Sequence, residues 1–150
     1  MIEIREIQDY QISAAAVLKS ENWGTKDYWI YRINGYLNLE LHPKHALKNR
    51  VLYVALKNNK IVGLIAGHLT KRYNCDGELQ WINVQTKHQK QGVATSLLKI
   101  LASWFVQHNA QSVCVDIDPE NIEGIHFYKK QKAQQLNAYW MVWPNISEVI

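Results

Sequence analysis

Glu78-Leu79-Gln80-Trp81-Ile82-Asn83-Val84, running on through Gln85-Thr86-Lys87-His88-Gln89-Lys90-Gln91 into Gly92-Val93-Ala94-Thr95, is the stretch that decides the fold. Its first part alternates as a strand. Leu79, Trp81 and Asn83 share one face; Glu78, Gln80, Ile82 and Val84 share the other. Residues 85 to 92 hold two lysines and no acid. Beyond them the period changes, and Val93, Leu97, Leu98, Leu101, Trp104 and Phe105 recur at the spacing of an amphipathic helix over 92–109. A strand that passes through a short basic loop into a glycine-opened helix makes an anion cradle. The first turn leaves the N–H groups of Gln91, Gly92, Val93, Ala94 and Thr95 free. Gly92 and Ala94 are small enough for a ligand to reach the backbone, and Lys87 and Lys90 flank it. The helix dipole adds ~0.3–1 kcal/mol for an anion there. GxxxxGK[ST] and GxGxxG are both absent, which excludes P-loop and dinucleotide fingerprints.

Upstream, Ile2, Ile4 and Ile7 suggest a first short strand and residues 9–20 a helix. Residues 26–41 predict one or two helices interrupted near Gly35, ended by His42-Pro43. Val51 to Leu56 and Lys60 to Leu69 predict a hairpin turning at Asn58-Asn59, since asparagine tolerates positive φ. Downstream follow a strand over 112–117, a helix over 121–131 and a last strand over 138–143, stopped by Pro144. The order predicts a mixed α/β sheet with helices on both faces.

The 150 residues suit one domain spanning 1–150 and can bury roughly 70% of the unfolded surface. With 47% apolar and 11% aromatic residues the chain is not disordered. Two cysteines exclude a disulfide scaffold, and no spacing suggests zinc; no metal is expected. His42-Pro43-Lys44-His45 lacks a third ligand. No apolar run reaches the ~20 residues of a membrane span. The charged start, Met1 to Glu6, is not a signal peptide, so a cytoplasmic location with Cys75 and Cys114 as free thiols is expected. The net charge of +4 gathers around 85–92 and at Lys129, Lys130 and Lys132. Lysine clusters alone fit a solvated face as well as a polyanion site.

Gln89-Lys90-Gln91-Gly92-Val93-Ala94 resembles the (Arg/Gln)-x-x-Gly-x-(Gly/Ala) pyrophosphate loop of the GNAT superfamily of acyl-CoA N-acyltransferases. Asn121-Ile122-Glu123-Gly124-Ile125-His126-Phe127-Tyr128 is similar to that family's second motif, Asn-x-x-(Ala/Ser/Gly)-x-x-Phe-Tyr. The resemblance is specific over 78–133 and topological over 1–77. It implies a mixed, mostly antiparallel sheet whose strands splay near residue 84, and an acetyl-CoA site in the gap. The pantetheine would lie beside Ile82, Asn83 and Val84, and the pyrophosphate on the amides of 90–95, with Gln89 nearby. The Val84 N–H would face the thioester carbonyl, a donor typically worth about 2.7–4 kcal/mol in the transition state. Asn121 would touch the pantetheine, or simply cap its helix.

Chemically, the acceptor amine must lose a proton and the thiolate gain one. Tyr128 is the candidate acid, since a phenol with pKa near ~10 can donate at neutral pH; its other role is a core aromatic. Glu78 is the candidate base. It is the only acid of its strand and shares the parity of Val84 unless a bulge intervenes; fourteen residues before Gly92, it stands where the resemblance implies a catalytic glutamate in some members. An exposed strand-end glutamate, with water as base, fits as well. Five aromatics in fourteen positions, Trp23, Tyr28, Trp29, Tyr31 and Tyr36, exceed what core helices need. The resemblance implies that this region shapes the acceptor site, so Trp29 and Tyr31 are candidates to line it. Two departures from the family pattern stand out: Gln89 and Lys90 where arginine is usual, and Lys132 where glycine favours a left-handed helix end.

The resemblance implies an N-acetyltransferase that moves an acetyl group from acetyl-CoA to a primary amine of a small molecule or peptide by direct attack. No metal, nucleic acid or membrane would be involved, and the aromatic C-terminal strand is a candidate dimer edge. A non-catalytic acyl-CoA-binding sensor or scaffold is the alternative.

Overall fold

The computed structural model describes residues 1–150. Seven strands form one sheet: β1 (Glu3–Glu6), β2 (Ala46–Lys57), β3 (Lys60–Thr70), β4 (Gly77–Val84), β5 (Val113–Asp116), β6 (Gln134–Asn137) and β7 (Trp140–Trp143). Their spatial order is β1-β2-β3-β4-β5-β7-β6, with only the β4–β5 pair parallel. Helices α1 (Ile12–Ser20) and α2 (Lys26–Leu37) cover one face. They bury Ile12, Leu18, Trp29 and Ile33 against Leu52, Val54, Leu64 and Trp81. Helix α3 (Val93–Gln107) covers the other and buries Leu97, Leu98, Leu101 and Phe105 against Val51, Ile65 and Leu79. Helix α4 (Ile122–Lys130) lies on this side too, with Tyr128 in the same cluster. At roughly 25 cal/mol per Å² of apolar area removed from water, these two layers are what hold the sheet.

The hairpin forms as its residues dictate: Asn58 and Asn59 hold φ of 52° and 63°, the left-handed pair that a two-residue turn needs. Lys132 adopts φ 76° without being glycine, and the Ala133 N–H closes the end of α4 on the Tyr128 carbonyl at 2.9 Å.

Three expectations fail. Helix α2 runs uninterrupted through Gly35, which is there because Leu41 packs on it; a Cβ at that position would lie 2.5 Å from Leu41 Cγ. Strand β6 is an additional strand. Its sequence, Gln-Gln-Leu-Asn, has no apolar alternation because all four residues are exposed on the sheet's edge. With β6 on that edge, the aromatic strand β7 is paired on both sides and is not free to pair across a dimer.

The strict alternation along β4 also fails. Ala66 faces Trp81 whereas Gly67 faces Leu79, so Gln80 is an extra, bulged residue. Leu79 therefore points to α3 and Trp81 to α1 and α2. Glu78 and Val84 end on opposite faces, because the bulge falls between them.

Candidate active site

The geometry of the site begins where β4 and β5 part. They pair only at Gly77–Val113, Glu78–Cys114 and Leu79–Val115. Beyond Leu79 the two strands diverge, earlier than residue 84, and β4 keeps its partner β3 on the other side. Hydrogen bonds in an antiparallel pair alternate along each strand. The Gln85 N–H donates to Val62 O at 2.8 Å, towards β3. The N–H groups of Val84 and Ile82, out of phase with it, consequently point to the side where β5 has left.

On the α3 side of this gap lies an open groove of about 850 Å³. Ile82, Val84, Gln89, Lys90, Gly92, Ala94, Thr95, Asn121 and Tyr128 all line it. The loop entering α3 is shaped for close approach. Lys90 holds φ 61° and Gly92 φ 85°, and the space where a Gly92 Cβ would stand is empty. The first main-chain bond of α3 runs from Ser96 N–H to Gly92 O at 3.0 Å, leaving the preceding turn's N–H groups without a helical acceptor. Such successive donors make an anion-binding concavity. Positive charge comes from Lys90 and Lys130, both on the groove wall, whereas Lys87 lines a different hollow near the β2–β3 hairpin. Gln89 donates from Nε2 to the Val84 carbonyl at 3.2 Å, tying the loop to the strand. Val93 is buried in the core, and Gln91 does not line the groove.

On the α1/α2 side the same gap opens as a second cleft of about 640 Å³, which shares Asn22, Ile82, Ile117, Asn121 and Tyr128 with the groove. Tyr128 thus stands between the two. It is 5% exposed and packs edge-on against Trp143, with ring centroids 5.5 Å apart. Burial, helped by the Asp116 charge, holds its phenol well above the usual tyrosine pKa, so the hydroxyl carries its proton at neutral pH. Asn121 caps α4, its side chain accepting from Gly124 N–H at 2.9 Å, and still borders both cavities.

Glu78 is placed differently. It is buried, and its Oε1 accepts from Arg72 Nε at 3.1 Å. His68 Nε2 stands 3.6 Å from the same oxygen, and His68 Nδ1 meets the Tyr36 hydroxyl at 2.8 Å. Burial pushes the Tyr36 pKa well up, so the phenol keeps its proton in this contact. Glu78 lines neither the groove nor the cleft. Asp116, at the end of β5, does line the cleft. Burial, followed by the Glu78 charge, raises its pKa. It carried no sequence signal, because a strand-end aspartate reads as a turn residue; only the parting of β4 from β5 gives it a wall to stand on.

Asn83 faces α1, where its Oδ1 accepts from Lys19 Nζ at 3.0 Å. Trp29 is 3% exposed and stacks edge-on with Trp81 at 5.8 Å, so it backs the cleft as core. Tyr31 is 63% exposed and lines a recess of about 360 Å³ with Tyr28, Arg32, Gln80 and Trp81. Cys75 and Cys114 are buried and unoxidised. The hydrogen bond with Cys75, followed by burial, holds the Cys114 thiol protonated, far from a nucleophile's state.

The acetyltransferase (GNAT) family model matches residues 7–132. The chain belongs to the GNAT acetyltransferase family. Solved structures show the same fold. The ribosomal-protein-S18-alanine N-acetyltransferase from Escherichia coli is 14% identical with a TM-score of 0.73, over 97% of this chain and 94% of that one. Ard1 from Thermoplasma volcanium is 18% identical with a TM-score of 0.72, over 95% and 96%. A PaiA N-acetyltransferase from Thermoplasma acidophilum, in complex with coenzyme A, is 12% identical with a TM-score of 0.68, over 95% and 97%. No curated protein sequence matches significantly. As a GNAT member the chain is an acyl-CoA-dependent N-acetyltransferase in general terms. No helix is long and apolar enough to cross a membrane.

Proposed function

We propose that residues 1–150 form one N-acetyltransferase domain that transfers acetyl from acetyl-CoA to a primary amine of a small molecule or peptide, by direct attack in a ternary complex. One observation carries this reading: the Val84 and Ile82 N–H groups point into the gap left by β5, in line with the free amides that open α3. An extended pantetheine fits such a strand edge, and a pyrophosphate fits the amides of residues 90–95 with Lys90 and Lys130 beside them. The Val84 N–H then donates to the thioester oxygen as negative charge grows on it. Tyr128, a phenol that keeps its proton at neutral pH, donates to the departing thiolate. Asp116, with its raised pKa and its place on the cleft, takes the amine proton directly or through water. Glu78 supports that wall from behind: it holds Arg72 and His68, and its charge raises the pKa of Asp116.

Calorimetry with CoA and acetylation of an amine panel test the reading together. Saturable CoA binding with turnover is expected; binding without any turnover would leave a sensor or scaffold instead. Tyr128→Phe keeps CoA affinity and lowers kcat by roughly 10²-fold or more. An unchanged kcat would remove Tyr128 as the acid.

A further inference from the structure

Lys19 is out of place for a lysine. It lies on α1, is only 8% exposed, and its Nζ sits 4.4 Å from the Trp29 ring centroid and 5.1 Å from that of Trp81. Its one hydrogen-bond acceptor is the Asn83 amide oxygen. No carboxylate lies within 4 Å, since the ion pairs of the structure are Arg5–Glu3, His68–Glu78 and Arg72–Glu78. A second cation makes matters worse. Arg32 lies 5.9 Å from the same Trp29 ring and also lacks an acid. Burial first and Arg32 second press the ammonium to lose its proton, lowering its pKa to about 7. A buried cation is ordinarily paired, because desolvating it alone costs several kcal/mol.

Lys19 also lines the α1/α2-side cleft, the one that Tyr128 and Asp116 border. Asp116 and Asp118 give that cleft negative charge, and Lys19 gives it a positive group. Arg32 lines a separate aromatic recess, which shares the walls Gln80 and Trp81 with the cleft. The cleft therefore offers carboxylates to an ammonium and the unpaired Lys19 to an anion, with Arg32 in a neighbouring recess.

We propose that Lys19, backed by Arg32, anchors a carboxylate on the acceptor, so that the amines acetylated are those bearing an anionic group close to the reactive nitrogen. This rests on the acetyl-transfer reading above and names its substrate class. The carboxylate can be that of a free α-amino acid or the side chain of an acidic first residue in a peptide. The acceptor's nitrogen sits at the Asp116 end, beside the thioester. Its anion replaces the missing counter-charge of Lys19, and the Asn83 oxygen keeps the ammonium aimed. A polycationic acceptor would meet the like charge of Lys19 in the cleft and that of Arg32 in the neighbouring recess.

Matched pairs test this, with kcat/KM as the readout. L-phenylalanine is compared with phenethylamine, and a tetrapeptide beginning with aspartate with the same peptide beginning with asparagine. At least one pair favours the carboxylate by about tenfold, as a charged hydrogen bond typically gives, and the pair that responds identifies the source. Lys19→Met brings that ratio close to one, whereas Lys19→Arg retains a preference. Methionine matches the length of the stem and removes a buried charge, so the variant is expected to fold, which circular dichroism checks. Two outcomes overturn the proposal: no preference in either pair, or a preference that survives Lys19→Met. If CoA binds but no amine is acetylated, the transfer reading falls, and the anchor is judged by binding alone. Trp29 and Trp81 flank Nζ, so their fluorescence responds to N-acetyl-L-aspartate and not to N-acetyl-L-asparagine amide. An equal response to both, or one unaltered in Lys19→Met, overturns the anchor independently.

Discussion

Gly92 holds φ at 85°, and nothing stands within 4 Å of where its Cβ would be. A substitution there is therefore strained but not obstructed, and its cost is confined to the backbone. Gly92→Ala is expected to lose ~1–2 kcal/mol from the left-handed conformation, read as a few degrees in Tm. The larger effect falls on the amides that the turn aims: the Kd for CoA rises several-fold, by calorimetry on folded protein. Gly92 was legible in the sequence because a glycine between a strand and an amphipathic helix has one obvious use. Lys19 was not. It sits among Ala15, Ala16 and Leu18 on a helix of weak periodicity, and a lone lysine reads as solvent-facing. Only the two tryptophans brought over it by α2 and β4 show otherwise. Asn83 was legible as part of the strand but not as the partner of a lysine sixty-four residues away.

Among elements, β4 separates what alternation can reveal from what it cannot. The strand itself, its length and its run into α3 follow from the residue pattern. The bulge at Gln80 does not, because a single extra residue leaves composition untouched while inverting every side chain on one side of it. That inversion sets Glu78 among His68, Arg72 and Tyr36, away from Val84. Just before it, Gly77 lies against α3: a Cβ there would stand 2.6 Å from Phe105 Cδ1. Phe105 is 1% exposed and has no room to withdraw. Gly77→Ala is expected to destabilise by ~1–3 kcal/mol through overpacking, measured as a lower midpoint in urea with an unchanged slope. A loss under ~0.5 kcal/mol would show that α3 yields easily. Strand β6 was illegible for a different reason, since an edge strand exposed on every side has no apolar rhythm to betray it.

For the whole molecule, the mostly antiparallel sheet, the two helix layers and the splay near residue 84 were within reach of the sequence through the family resemblance, whereas the end of β4–β5 pairing already at Leu79 was not. Global stability carries the mark of Lys19. Its pKa falls from 10.5 to about 7 on folding, so between those values the unfolded chain holds a proton that the folded chain has given up. Stability must then rise with pH through this window, and the burial penalty is felt in full below about 7. The gain amounts to a few kcal/mol at most, at ~1.4 kcal/mol per pKa unit. Urea denaturation of the wild type and of Lys19→Met at pH 7 and pH 10 isolates it. The wild type gains on the variant at the higher pH; a difference that stays constant would mean that the ammonium remains charged throughout.

The early parting of β4 from β5 also bears on how the protein keeps to itself. A sheet's unsatisfied rims invite foreign strands. The outer two are blunted here, one by Glu3, Arg5 and Glu6 and the other by the polar run of β6. The inner rim along β4 has no such dressing, yet it lies recessed between neighbouring helices and the departing strand. With helices packed on both faces of the sheet and β5 still joined to β4 at its base, that rim does not stand open to a foreign strand as an outer border does.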